Sequence, residues 1–138
     1  MSSRIERTIS VSWHHQVLFT QNVFDAENPT LRDTLVDGES REARKTLFVL
    51  DEALALAMPT LVSEIEAYFK THSDSLNLVC PPIVMEGGER TKNSYFHVSE
   101  VQSYVDRYHV DRHSYLICVG GGAILDMVGL AAATAHRG

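Results

Sequence analysis

A chain of 138 residues with a formal net charge of −6 has room for one domain around one core. The acidic balance argues against free nucleic acid or an anionic membrane as a partner. Cys80 and Cys118, the two cysteines, lie beside or within apolar runs and read as buried thiols; with no disulfide framework expected, a reducing cytoplasm fits. Residues 1–12 mix Arg4, Glu6 and Arg7 with Ser and Thr, unlike a secretory signal, and no apolar stretch is long enough to span a bilayer.

In chain order, residues 9–20 alternate imperfectly, with Val11, Trp13, Val17, Leu18 and Phe19 apolar, and predict one or two strands. Residues 22–29 are polar and end on Pro29, the pattern of a loop. Residues 30–36 predict a short helix capped by Thr30, and Asp37, Gly38, Glu39 and Ser40 a turn. Residues 46–50 form an apolar run ending at Asp51, as a buried parallel strand does. Pro59 suits the first position of a helix, and Leu61, Ile65, Tyr68 and Phe69 recur at helical spacing up to about His72. Residues 76–80 predict the next strand, Pro81 and Pro82 interrupt it, and residues 83–85 continue it. Residues 87–92 read as a loop. Asn93 suits the cap of a helix whose stripe of Phe96, Val98, Val101, Tyr104, Val105 and Tyr108 is expected in the core. Residues 114–119 predict a third buried strand, followed at once by Gly120, Gly121 and Gly122. Residues 123–135 predict a helix apolar on nearly every face and therefore buried between layers. Strands alternating with helices predict one α/β domain over residues 1–138, with a mostly parallel sheet.

The junction of strand, glycine triplet and helix is the strongest chemical signal. Glycines let a ligand approach the backbone, and a helix N-terminus suits a pyrophosphate. The fingerprint G-x-G-x-x-G would need glycine at position 125, where the chain has Leu125, so the glycines alone also fit a tight turn. Asp51 ends a strand, where a carboxylate accepts hydrogen bonds from ribose hydroxyls or caps a helix. Residues 87–92 offer backbone N–H groups and the Lys92 cation, or a surface turn. Together these elements end three strands on the side where open α/β sheets bind ligands. Asp126, one turn into an apolar helix, reads as a ligand or catalytic-site carboxylate or as a buried structural partner, because burial of an unpaired charge is costly. His109 and His113 have the i, i+4 spacing of a zinc pair but lack the Glu of H-E-x-x-H and fall at a helix end, so no metal site is expected there.

Residues 120–138 read G-G-G-A-I-L-D-M-V-G-L-A-A-A-T-A-H-R-G. They resemble the signature G-G-G-x-x-x-D-x-x-G-x-x-A-A-x-x-x-R-G of the dehydroquinate synthase family. Gly88, Glu89, Arg90, Thr91 and Lys92 resemble its G-E-x-x-K loop, and Val49, Leu50 and Asp51 its ribose-holding strand end. The resemblance runs from about Thr46 onward. It implies a Rossmann-like, mostly parallel sheet with helices on both faces, followed in the family by a mostly helical metal-binding domain absent from this chain. It implies NAD as cofactor, with Asp51 on the adenosine ribose, Gly88, Glu89 and Lys92 in the cofactor loop, and Gly120, Gly121 and Gly122 at the pyrophosphate. Asp126 would lie near the nicotinamide and substrate as the catalytic residue. A divalent metal, zinc or cobalt, is expected only in the full-length protein.

The implied reaction is that of a lyase. A heptulose 7-phosphate is transiently oxidised by NAD, loses phosphate, regains hydride and closes to a carbocycle. The sugar phosphate is the expected small-molecule partner, a homodimer is allowed, and this chain alone is expected to be inactive. Two positions depart from the family pattern: Ala53 where Asn is frequent, and Gly87 where Asp is common. The stretch 17–29 resembles cyclases of the valiolone or gadusol type, which use sedoheptulose 7-phosphate. Metal-dependent alcohol or glycerol dehydrogenases are an alternative, although they continue D-x-A-K where this chain has Asp126, Met127, Val128 and Gly129. A stand-alone nucleotide-binding module is the other, and the apolar helix 123–135 argues for a covering domain instead.

Overall fold

The computed structural model describes residues 1–36, 38 and 41–135. Its centre is strand β1 (Arg44–Asp51), in which Thr46 to Leu50 are all fully buried. Burial on both faces is what a continuous apolar run in a parallel sheet requires. Strands β2 (Leu76–Leu78) and β3 (Ile83–Met85) pair with the two ends of β1, through Arg44–Thr46 and Val49–Asp51. Strand β4 (Tyr115–Val119) pairs with Thr46–Leu50. Thr46 is matched to both Leu78 and Tyr115, and Val49 to both Ile83 and Cys118, so β4 lies on the opposite edge of β1 from β2 and β3. All three pairings are parallel. Strands β2 and β3 are one strand interrupted around Pro81 and Pro82, which have no N–H to give to a ladder.

The period-two alternation of β1 feeds two cores. Phe48 and Leu50 point to one face and pack on Leu61, Ile65, Tyr68 and Phe69 of helix α3 (Leu61–Thr71) and on Leu35 of helix α1 (Thr30–Leu35). Val49 points to the other and packs on Val98 and Val101 of helix α5 (Tyr95–Arg107) and on Ile124, Met127, Val128 and Ala131 of helix α6 (Gly122–Ala135). The predicted α/β class, with a parallel sheet and helices on both faces, is therefore the observed one.

Several local expectations are corrected. Residues 9–20 form no strand, and Ile9, Val11, Trp13, Val17, Leu18 and Phe19 are all exposed. A strand needs a neighbour to hydrogen-bond, and no described strand lies beside this arm. Thr30 does not cap α1; its own N–H is bound by Asn28 Oδ1, 3.0 Å away. Helix α2 (Glu52–Ala57) was not expected, and its cap is Asp51. Pro59 precedes Thr60, the N-cap of α3, so it is not the first helical residue. The loop 87–92 contains a helical turn, α4 (Glu89–Lys92), and α5 begins after Ser94, not on an Asn93 cap. Within α5, Val98, Val101 and Val105 are core while Phe96 is exposed. The expected turn at Asp37, Glu39 and Ser40 lies outside the described residues.

Helix α6 is not buried all round. Ile124, Met127, Val128 and Ala131 face the sheet, while Leu125, Asp126, Gly129 and Leu130 are exposed.

Candidate functional site

After β1 the chain packs α3 on one face and returns on the β2/β3 edge; after β3 it packs α5 on the other face and returns as β4 on the far edge. The connections thus diverge between β1 and β4. In an open parallel sheet the crevice at the carboxyl ends of two such strands is where ligands bind. Asp51 closes β1 and Gly120 follows β4, so two predicted site residues lie at this switch point.

Asp51 caps α2: its Oδ1 accepts from the Ala53 N–H at 2.8 Å. A side chain on Gly87 or on Gly120 would run into Asp51, so loop, strand end and glycine triplet converge on this carboxylate. A Cβ on Gly121 or Gly122 would meet no heavy atom within 4 Å. The first bond of α6 runs from the Leu125 N–H to the Gly121 carbonyl, 3.1 Å, which leaves the N–H groups of the preceding turn without intrahelical partners. Open backbone and free donors at a helix start are the physical requirements of an anion seat.

The loop after β3 is held by Thr91, which is fully buried. Its hydroxyl donates to the Glu86 carbonyl at 2.8 Å and its N–H to the Gly88 carbonyl at 3.0 Å. Gly88 has φ +88°, a left-handed-side conformation that favours glycine. Outside this ring, the Glu86 carboxylate lies 3.9 Å from His97 Nε2 and 4.0 Å from Arg90. Glu89 opens α4 and is exposed. Helix α4 packs on α6, and Lys92 Nζ reaches Asp126 Oδ2 at 3.5 Å.

Asp126 is exposed and paired, not buried, so the expected burial cost does not arise. A surface pair of this kind contributes little to stability; it joins α4 to the first turns of α6. Thr91, Gly87 and Glu86 were missed by the sequence reading. Thr91 carried a signal by lying inside the G-E-x-x-K loop, and Gly87 only as a departure from the family's Asp; Glu86 carried none. Helix α5 ends at Arg107 and His109 has φ +52°, so His109 and His113 are not successive turns of one helix. Among the described residues no group of three His, Cys, Asp or Glu side chains could hold a metal ion. The described residues therefore offer no ligand set that fits a divalent metal.

On the other face of the crevice, beside Val119, a hollow of about 440 Å³ is lined by Phe24, Leu54, Met58, Leu61 and the polar Asn22 and Glu64. Among the described residues, no helix is long and apolar enough to cross a membrane.

Fold and geometry together define a Rossmann-like α/β domain with a glycine-lined crevice at its switch point. Residues 82–138 match the family described as 3-dehydroquinate synthase N-terminal. Over 124 residues, 90% of this chain and 30% of the relative, the chain is 32% identical to a 3-dehydroquinate synthase of Streptococcus pyogenes serotype M6. Over 128 residues, 92% of this chain and 31% of the relative, it is 31% identical to that of Psychrobacter cryohalolentis. With that of Halalkalibacterium halodurans it shares 37% over 75 residues, 53% of this chain and 20% of the relative. The chain belongs to the dehydroquinate-synthase-like family and corresponds to its N-terminal part. It spans about 30% of the length of the Streptococcus relative.

Proposed function

We propose that this chain is the NAD-binding N-terminal part of a cytoplasmic dehydroquinate-synthase-like cyclase, which converts a heptulose 7-phosphate to a carbocycle with loss of phosphate. The observation that carries the reading is the switch point itself, where the Asp51 carboxylate faces an open, glycine-lined helix start. The match to 3-dehydroquinate synthases supports a cyclase over a dehydrogenase of the alcohol or glycerol type.

When bound, NAD supplies reversible hydride transfer. The chain's own residues would position it. Asp51 accepts hydrogen bonds from the ribose hydroxyls, and its charge disfavours a second phosphate there. Gly121 and Gly122 admit the pyrophosphate against the backbone, with the N-terminal dipole of α6 behind it. Gly88 and Glu89 shape the loop over the cofactor. Lys92 and Asp126 face each other where nicotinamide and sugar phosphate would meet. Lys92 offers the phosphate a cation, and Asp126 holds Lys92 in place and accepts a substrate hydroxyl.

Calorimetry of NAD binding to the chain tests the site. Asp51→Ala is expected to weaken binding by about 1–3 kcal/mol, the cost of losing hydrogen bonds to a charged acceptor. Asp51→Asn keeps an oxygen for the α2 cap and so separates loss of charge from loss of the cap. Unchanged affinity in both variants overturns the assignment. Phosphate release by the whole protein from sedoheptulose 7-phosphate and from the substrate of 3-dehydroquinate synthases then decides the substrate.

A further inference from the structure

The glycines around Asp51 do not all serve the same purpose. Beside Gly121 and Gly122 there is open space. Beside Gly87 there is none: a Cβ there would fall onto Asp51 Oδ2, within 2.8 Å of Cγ and 3.0 Å of Oδ1. A Cβ on Gly120 would lie 2.8 Å from Asp51 Cβ and 3.3 Å from Oδ2, and 2.5 Å from Ile124 Cγ2. The room next to both α-carbons is already filled, and by the same side chain.

We infer that Gly87 and Gly120 are positioning residues that act through Asp51: between them they form the slot in which its carboxylate lies, and they set the direction it presents to a nucleotide ribose. The inference rests on the nucleotide reading above and deepens it. It also divides the glycines into two that make room for a carboxylate and two that make room for a ligand.

The slot cannot widen elsewhere. Asp51 is matched to Met85 at the end of β3, and β1 is fixed by burial on both faces. Gly87 lies between Glu86 and Gly88, whose carbonyls are both held by Thr91. Gly88, not Gly87, has the positive φ, so alanine at 87 meets no backbone objection, and its whole cost falls on the contact with Asp51. What yields is the Asp51 side chain, which has three staggered positions available. Leaving its present one moves the carboxylate and breaks the bond to the Ala53 N–H. Gly120 is the less clean probe, because Ile124 also obstructs it.

The test is a double-mutant cycle on the full chain, read in two ways. In the absence of ligand, Gly87→Ala is expected to move the Ala53 amide in ¹H–¹⁵N spectra to its position in Asp51→Ala. In calorimetry, Gly87→Ala is expected to weaken NAD binding about tenfold in the presence of Asp51, and by less than about twofold in the Asp51→Ala background, since coupled residues are not additive. Gly129→Ala, whose Cβ would meet nothing within 4 Å, changes neither readout.

An Ala53 amide that stays in place in Gly87→Ala overturns the inference. So does the same loss of NAD affinity with and without the Asp51 carboxylate. Should Gly87→Ala fail to fold, adding Asp51→Ala clears the slot and restores folding; a double variant that stays unfolded is equally fatal. A wild-type chain that does not bind NAD removes the nucleotide reading, and the Ala53 amide then decides alone whether Gly87 sets Asp51.

Discussion

Cys118 is a thiol disarmed by its surroundings. It lies on β4 opposite Val49 of the buried central strand. Burial, and then the nearby Asp51 carboxylate, push it from the ordinary 9.0 up to about 11. The nucleophile is the thiolate, so alkylation of folded protein at pH 8 is expected to be much slower at Cys118 than at an unhindered thiol, and to accelerate as pH approaches 11. Fast labelling at pH 8, followed by peptide mass analysis, would contradict this. The linked effect on stability has a definite sign. The folded state holds the proton more tightly than the unfolded one, so this contribution is full below pH 9 and is lost as pH rises toward 11. Cys80 is shifted upward too, chiefly by burial, with the Tyr108 hydrogen bond and Arg107 acting against it. The same reasoning identifies Asp51 as the group to watch: it closes β1 at the switch point, it caps α2, and it raises its neighbour's pKa.

Tyr68 joins elements far apart in sequence. On α3, it is almost fully buried; its hydroxyl donates to the Asn28 carbonyl at 2.9 Å and accepts from the Arg32 N–H at 3.1 Å. His72, one turn on, contacts the Ala26 carbonyl at 3.1 Å. The loop before α1 is thus tied down by α3. Tyr68→Phe keeps the ring packing but strands two half-buried groups, and is expected to cost about 1 kcal/mol in urea unfolding. A loss below about 0.5 kcal/mol would mean that water replaces the hydroxyl. Elements whose pattern comes from their own burial were legible in the sequence. The runs of β1 and β4, the stripe of α3 and the glycine start of α6 needed no knowledge of their neighbours, although β4, expected to be buried, is half-buried along its whole length. Elements fixed by distant partners were not. Helix α2 depends on an Asp51 cap that reads equally well as a ligand. The turn of α4 depends on Thr91 reaching back to Glu86. The alternation of residues 9–20 is a strand pattern with no strand beside it. At the site, Asp51 and the triplet were visible because end-of-strand carboxylates and glycines are rare signals. Gly87 stood out only as a departure from the family's Asp, and its closeness to Asp51 was not legible because nothing in the sequence shows what lies beside an α-carbon.

The arm of residues 1–19 stands apart from the rest energetically. Its large apolar side chains are exposed, Trp13 at 86% and Phe19 at 97%. None of the three core clusters includes any of its residues, and its polar contacts, Gln16 to His14 and Arg4 to Glu6, are internal. Attachment to the domain begins at Thr20 and Gln21, both of which accept from Asn28 Nδ2. Folding of the α/β domain therefore draws almost nothing from these nineteen residues, since stabilisation comes from surface removed from water. Deleting residues 1–19 is expected to shift the melting temperature by less than about 4 °C, the change that ~1 kcal/mol produces in a domain of this size. Trp13 gives a second, sharper test because it is the sole tryptophan. In dilute solution its emission is expected to be that of a water-exposed indole, and to stay so through urea unfolding while circular dichroism records the loss of the helices. A red shift of Trp13 coincident with that loss would show that the arm is packed in the folded state. A melting temperature lowered by more than the stated margin on deletion would then locate missing stability in the arm, and its alternating pattern would be that of a strand in use.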